Sequence, residues 1–142
     1  MIHFVLYTLD GVKFDGEAYE VLIPTLDGEI GVLPGHMPLI SVATHGAIMV
    51  RKTAGERDDH RDVFAISGGT VQVENDELKI LVDEADHADE LNEQEVQKAF
   101  DLAKKMKAEA KDHVSLQHAQ SLMDRHAVRL QVAGLKRTKR SR

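Results

Sequence analysis

Around Asp83 the hydrophobic pattern of this chain changes period, so its first part must be built from strands and its last part from helices. Before Asp83 the apolar residues come in short runs rich in β-branched and aromatic side chains, as strands prefer. These runs are Ile2–Thr8, Tyr19–Ile23, Ile30–Leu33, Ala47–Val50, Asp62–Ile66, Thr70–Glu74 and Glu77–Val82. In one of them, Val71 and Val73 alternate with Gln72 and Glu74, the pattern of a strand buried on one face. Asp10-Gly11, Leu26-Asp27-Gly28-Glu29 and Asn75-Asp76 interrupt the runs. Asp-Gly is the preferred pair where a tight hairpin needs positive φ, so a hairpin is expected at Asp27-Gly28; Asn75-Asp76 reads as another two-residue turn, and Asp10-Gly11 as a turn that ends the first run. Many short strands separated by turns predict a small sandwich or barrel. The polar run Thr53–Arg61 reads as a solvated loop.

After Asp83 the acidic stretch Glu84–Glu90 holds few apolar residues and reads as a linker. Asn92 then precedes Glu95 by three positions, the spacing of a helix capping box. Val96, Ala99, Phe100, Ala103, Met106 and Ala110 recur at helical intervals and form one apolar stripe. Acids gather at the start of this helix and Lys104, Lys105, Lys107 and Lys111 towards its end, as the helix dipole favours. Asp112-His113-Val114-Ser115 breaks the pattern, and a second stripe follows at Leu116, Ala119, Met123, Ala127 and Leu130. The small stripe residues predict an antiparallel hairpin that must lie on something else. The expected class is α+β, with a β-sandwich over residues 1–83, a linker over 84–90 and a two-helix hairpin over 91–142.

Charge divides the chain in a similar way. Residues 1–83 carry 14 acids against 6 bases, residues 84–112 nine against five, and residues 113–142 one against seven. An acidic body does not suit nucleic acid, whose binding rests on neutralised phosphates. The basic end is suited to an acidic partner patch. Its last 30 residues lack aromatics, which disfavours a single-strand-binding module on that helix, the alternative reading of the tail. No run approaches the roughly 20 apolar residues of a membrane span. The start, Met1-Ile2-His3-Phe4-Val5-Leu6, has neither the basic flank nor the long apolar core of a signal peptide, so a soluble chain is expected. With no cysteine, disulfides and thiolate metal sites are excluded.

Catalytic chemistry finds no constellation. Ser67-Gly68-Gly69 lacks the Lys-Ser or Lys-Thr of a phosphate loop and leads into a strand, which predicts a tight turn or strand crossing that needs small residues. His113, His118 and His126 stand five and eight apart, not at the i, i+4 spacing that places two ligands on one helix face. His36 has no nucleophile paired with it in sequence, so a small hydrolase is disfavoured. No metal, no cofactor and no catalytic residue is expected.

The segment Gly28-Glu29-Ile30-Gly31-Val32-Leu33-Pro34-Gly35-His36-Met37-Pro38-Leu39-Ile40 is the most specific in the chain. It resembles the signature of the ATP synthase epsilon subunit family. Phe64–Val73, with its Ser-Gly-Gly, and Lys79–Asp83 are similar to that family's later strands, and Arg129–Ala133 to its second helix. The resemblance implies a flattened β-sandwich followed by a helical hairpin. It implies a non-catalytic rotor subunit, peripheral on the cytoplasmic face of a bacterial plasma membrane, that links gamma to the c-ring in proton-driven ATP synthesis. Its hairpin would either fold against the sandwich or extend into the alpha/beta catalytic head and restrain hydrolysis. Matched to the signature, Asp27, Gly28 and Glu29 would meet the ring, and His36, Met37, Pro38 and Leu39 would lie near gamma and the ring. Arg125, Arg129, Lys136 and Arg137 would be the inhibitory helix contacts. Of the ATP site some members carry in the hairpin, only Arg125 and Arg129 match. Asn92, Glu95 and Val96 replace its Asp, Arg and Ala, and Glu95 opposes phosphate, so ATP binding is expected to be weak or absent.

Overall fold

The computed structural model describes residues 1–55, 57 and 61–140, with side chains described as far as residue 134. Ten strands come first: β1 (Ile2–Thr8), β2 (Gly11–Ala18), β3 (Glu20–Thr25), β4 (Gly28–Val32), β5 (Leu39–Ala43), β6 (Gly46–Arg51), β7 (Asp62–Ile66), β8 (Gly69–Glu74), β9 (Glu77–Val82) and β10 (Ala85–His87). A 3₁₀ turn at Ala88–Glu90 leads to α1 (Glu93–Glu109) and α2 (His113–Arg140).

The strands follow one hydrogen-bonded path, β10-β7-β6-β3-β5-β8-β9-β1-β2, with β4 paired to the other side of β3. The path folds over between β3 and β5, where only Thr25 and Ala43 are partnered. Two layers result, and their inward residues form one core of Ile2, Phe4 and Leu6 with Leu78, Ile80, Val71, Val21, Ile23, Ile48 and Val50. Alternation along β1 supplies this directly, since its first, third, fifth and seventh residues are buried. Burying each such aliphatic or aromatic side chain contributes about 1.5–3 kcal/mol over leaving it exposed. Asn75 and Asp76 adopt positive φ of 51° and 59°, which is the two-residue turn their identity predicts between β8 and β9.

At Ser67-Gly68-Gly69 the chain leads from β7 into β8 through a close approach that needs small residues. A Cβ on Gly69 would collide with the Leu81 carbonyl oxygen and come within 2.8 Å of the Val82 Cα. Ser67 is buried, and its Oγ accepts from the Glu84 backbone N–H at 2.8 Å. That bond helps hold the segment that follows β9 against the sheet.

The acidic stretch 84–90 is therefore not a linker. β10 adds to the edge of the sheet, pairing Ala85 with Ile66, Asp86 with Ala65 and His87 with Phe64. Composition missed it because a short edge strand needs only one buried apolar residue, Ala85, when partners occupy its polar ones. Two other strands had also escaped notice. β2 is a polar, largely exposed edge strand, and β5 carries apolar residues on both faces and so shows no alternation.

Asn92 caps α1 as expected, its Oδ1 accepting from the N–H of Gln94 and Glu95. Asp112 does the same for α2 through the Ser115 N–H at 2.7 Å. The helices pack on each other, and α2 lies on the outer face of β6 and β7. There Ala47, Val63 and Ala65 meet Val128, Leu130, Val132 and Ala133, with Val96 and Leu91 completing a second, smaller core. The stripe expected on α2 is partly corrected: Ala119 is buried, but Ala127 and Leu116 are exposed. The helix is buried on two faces, one toward α1 and one toward the sheet, so a single stripe cannot describe it.

Candidate contact surfaces and a docked hairpin

The β3–β4 hairpin ends in a rigid tip. Thr25 is buried, and its Oγ1 donates to the Gly28 carbonyl and accepts from the Asp27 N–H at 3.3 Å. Gly28 has φ +112°, a value that L side chains rarely adopt. The Leu26 N–H donates to the Val42 carbonyl at 3.1 Å, which ties the tip to β5. Asp27 and Glu29 are exposed, and among the described residues neither carboxylate has a partner. Leu26 is 70% exposed beside them. The tip is a fixed backbone presenting free charge and one apolar side chain.

The second predicted segment lies at the other end of β4. Gly35 and Met37 are separated from the tip by a strand of five residues, roughly 17 Å of extended chain. The turn at Pro34-Gly35 is held by the Gly35 N–H, which donates to Asp76 Oδ1 at 2.7 Å. His36 Nδ1 lies 2.7 Å from the Met37 carbonyl, which fixes the tautomer with the proton on Nδ1. His36 thus braces its own turn. Met37 and Pro38 are exposed, Met37 by 73%, while Leu39 packs against the core.

β5 runs back from this turn towards the tip, and its outward residues Ile40 and Val42 face solvent, Ile40 by 80%. Register continues the surface across the layer. Val42 is opposite Thr70, Thr70 opposite Leu81, Leu81 opposite Tyr7 and Tyr7 opposite Val12. Directly opposed residues share a face, so Val42, Leu81, Tyr7 and Val12, with Thr70 among them, make a row on the outer side of the β5-β8-β9-β1-β2 layer. Val42 and Val12 leave apolar surface exposed in this row, while Tyr7 and Leu81 are half-buried. Sequence reading missed the row because it emerges only from register. The one local signal was the apolar residue at nearly every position of β5.

The opposite side of the sandwich carries the hairpin. Two arginines one helical turn apart reach down from α2: Arg125 Nη1 donates to Glu84 Oε1 at 2.9 Å, and Arg129 Nε lies 3.2 Å from Asp86 Oδ2. The second pair is a charge contact without hydrogen-bond geometry, since Arg129 Nε has no hydrogen-bond partner. Sequence reading singled out both arginines. The structure brings them together, and each is occupied by a carboxylate of the β10 segment. Lys136 and Arg137 lie in the final turns of α2, and their side chains fall outside the described residues.

On the neighbouring edge, Asp62 receives Lys52 at 3.0 Å and His87 at 3.3 Å. Burial raises the Asp62 pKa, but the hydrogen bonds from Lys52 and His87 outweigh it and hold the carboxyl below the usual carboxylate range. Among the described residues no group of three or more His, Asp or Glu is arranged to hold a metal, and no helix is long and apolar enough to cross a membrane.

Residues 1–88 match the family described as the ATP synthase delta/epsilon chain, β-sandwich domain. The ATP synthase epsilon chain of Halalkalibacterium halodurans is 31% identical over 134 residues, covering 94% of this chain and 97% of that protein. The epsilon chain of Synechococcus elongatus is 36% identical over 94 residues, covering 66% of this chain and 65% of its own length. Among solved structures, a chain of the Euglena gracilis mitochondrial ATP synthase, determined with its OSCP, F1 and c-ring, superposes with TM-score 0.77 at 25% identity, covering 93% of this chain and 80% of that one. Sandwich, signature segment and hairpin agree with these likenesses over nearly the whole length, and the chain belongs to the epsilon-chain family of the F-type ATP synthases, whose members are structural and regulatory subunits and not the catalytic ones.

Proposed function

We infer that this chain works in the central stalk, joining gamma to the c-ring during rotary, proton-driven ATP synthesis, and that its hairpin restrains ATP hydrolysis in the alpha/beta head. The observation that carries this reading is the division of labour between the two faces of the sandwich. One face offers a rigid polar tip and a row with exposed apolar surface, the ingredients of a stable protein interface. The other holds a hairpin by a modest apolar patch and two partly exposed ion pairs. Such pairs are individually worth about 0–1 kcal/mol when solvent reaches them, so a docked hairpin of this kind is suited to release. In this reading Asp27, Gly28 and Glu29 meet the ring, and His36, Met37, Pro38 and Leu39 lie beside gamma and the ring. Arg125, Arg129, Lys136 and Arg137 serve the inhibitory contact once the hairpin extends. The subunit sits peripherally on the cytoplasmic face of the plasma membrane, as part of the complex.

The test has two arms. A tagged copy recovered from native membranes should bring gamma and the catalytic subunits with it, and recovery without them ends the stalk assignment. ATP hydrolysis by reconstituted complex should rise several-fold when the chain is cut after Asp112, with synthesis retained. Unchanged hydrolysis across a range of membrane energisation would remove the brake from the proposal and leave the stalk role standing.

A further inference from the structure

Between the two arginines that pin α2 to the sheet stands His126, and its ring is part of the same network. Its Nδ1 lies 3.2 Å from Arg129 Nη1. A guanidinium only donates, so this contact requires an unprotonated Nδ1 with its lone pair directed at Arg129. The same Arg129 faces Asp86, and Arg125, one residue before His126, faces Glu84. The docked geometry therefore holds an imidazole between two fixed cations, and it is complete only while that imidazole is neutral.

We propose that the docked hairpin is a proton-sensitive latch, with protonation of His126 as the event that loosens it. Adding a proton at Nδ1 removes the acceptor from Arg129 and sets N–H against N–H, with a third positive charge between two others. The cleft beside the imidazole, lined by Ser67, Glu84, Asp86, Arg125 and Arg129, is narrow, and His126 is not part of its lining. Relief by moving apart is open, because Glu84 lies on a short edge segment and α2 is attached to the sheet by a small apolar patch. The docked state is also not saturated with bonds. The Nε–H groups of Arg125 and Arg129 are buried without hydrogen-bond partners, so release would return both to water.

The charges that act on His126 are Arg125 and Arg129 from its own helix and Glu84 and Asp86 from the β10 segment, and α1 contributes none. β7 presents Ala65, Ile66 and Ser67 to the same cleft, none of them titratable. Burial, then Arg129 and Arg125, hold His126 below the usual histidine range, with the two carboxylates pulling more weakly the other way. The sign follows from linkage. A histidine depressed in the docked state takes up its proton more readily when released. Docking is thus at full strength above the ordinary histidine value of about 6.5 and weakens as pH falls through the lower, docked value. One proton is linked, so the docking equilibrium changes by at most about tenfold per pH unit within that window. The latch is a property of the isolated chain and holds whether or not the released hairpin reaches a catalytic head.

The experiment is two-dimensional NMR of the isolated full chain from pH 8 to pH 5, following the His126 ring and the Ala47, Val63 and Ala65 signals beneath α2. In the wild type those signals should leave their docked positions with the midpoint of the His126 titration, which should lie below 6.5. His126→Gln keeps an acceptor for Arg129 but does not titrate, so it should stay docked over the whole range. His126→Lys carries its charge permanently and should already show released signals at pH 8, with the β1, β8 and β9 signals intact. The proposal would be overturned by wild type and His126→Gln undocking at the same pH, or by a wild type that titrates at His126 while the Ala65 face stays covered. Docking of His126→Lys at pH 8 would do so as well.

Discussion

Gly35 donates its backbone N–H to Asp76 Oδ1 across 2.7 Å, which joins the Pro-Gly turn to the β8–β9 turn forty-one residues later. Asp76 is itself held at φ +59°, where most L residues are strained. Asp76→Ala loses both the acceptor and the tolerance for that conformation, at an expected cost of about 1–3 kcal/mol. Asp76→Asn keeps an acceptor oxygen and the tolerance, and should cost less than half as much. Urea unfolding of the two variants compares them directly, and equal losses would mean that the bond to Gly35 does not matter.

Two glycines should respond to alanine with opposite signs. Gly69→Ala drives a methyl into the Leu81 carbonyl and the β9 backbone, which cannot rotate away. A loss greater than about 2 kcal/mol is expected, with the sandwich core affected first. Gly134 lies within α2 with open space around its α-carbon. Gly134→Ala should gain about 0.5–1 kcal/mol of helix stability. Thermal unfolding monitored by circular dichroism distinguishes the two.

Asp62 contributes to stability in a pH-dependent way. Its carboxyl is depressed in the folded chain, so its contribution is present above the ordinary Asp value of about 3.9 and lost as pH falls through the lower folded value. Asp62→Asn should therefore be less stable than wild type at pH 7 and draw level with it in strong acid. Denaturant midpoints at pH 7, 4 and 2.5 check this, and a constant gap between the two proteins would assign the loss to packing and not to charge.

The exposed row and the hairpin tip should be dispensable for folding and needed for assembly. Ile40→Asp and Val42→Asp place charge on side chains that already face water, so their effect on stability should stay within about 0.5 kcal/mol. Glu29→Lys reverses an unpaired charge at the tip with the same neutrality towards the fold. In the complex, the first two should weaken capture of the rotor partners at least tenfold, and Glu29→Lys should lower coupled ATP synthesis. Normal assembly and synthesis in all three variants would move the interface elsewhere on the molecule.

The sequence was most readable where a single local rule governed the outcome. Asn75-Asp76 announced a tight turn, Asn92 a helix start and Ser67-Gly68-Gly69 a tight turn or crossing that needs small residues, and each stands where expected. What stayed hidden depends on distant partners. β10 is a strand because β7 lies beside it and two arginines from α2 engage its carboxylates, not because Glu84–Glu90 looks extended. The Val42-Thr70-Leu81-Tyr7-Val12 row exists only once four strand pairings have set its register. Arg125 and Arg129 were recognisable as a pair at helical spacing, but nothing local foretold that Glu84 and Asp86 would meet them.

The parallel pairing of β1 with β9 has a consequence for the order of events during synthesis. His3 is opposite Glu77 and Tyr7 opposite Leu81, so β1, made before the other strands of this sheet, waits for β9 before both its edges are filled. Closure of a contact that distant is slow compared with hairpin formation. The nascent chain must therefore carry β1 with one edge open until Val82 has cleared the exit tunnel. The helices emerge only afterwards, and when they do the surface that receives α2 is already being assembled beneath them.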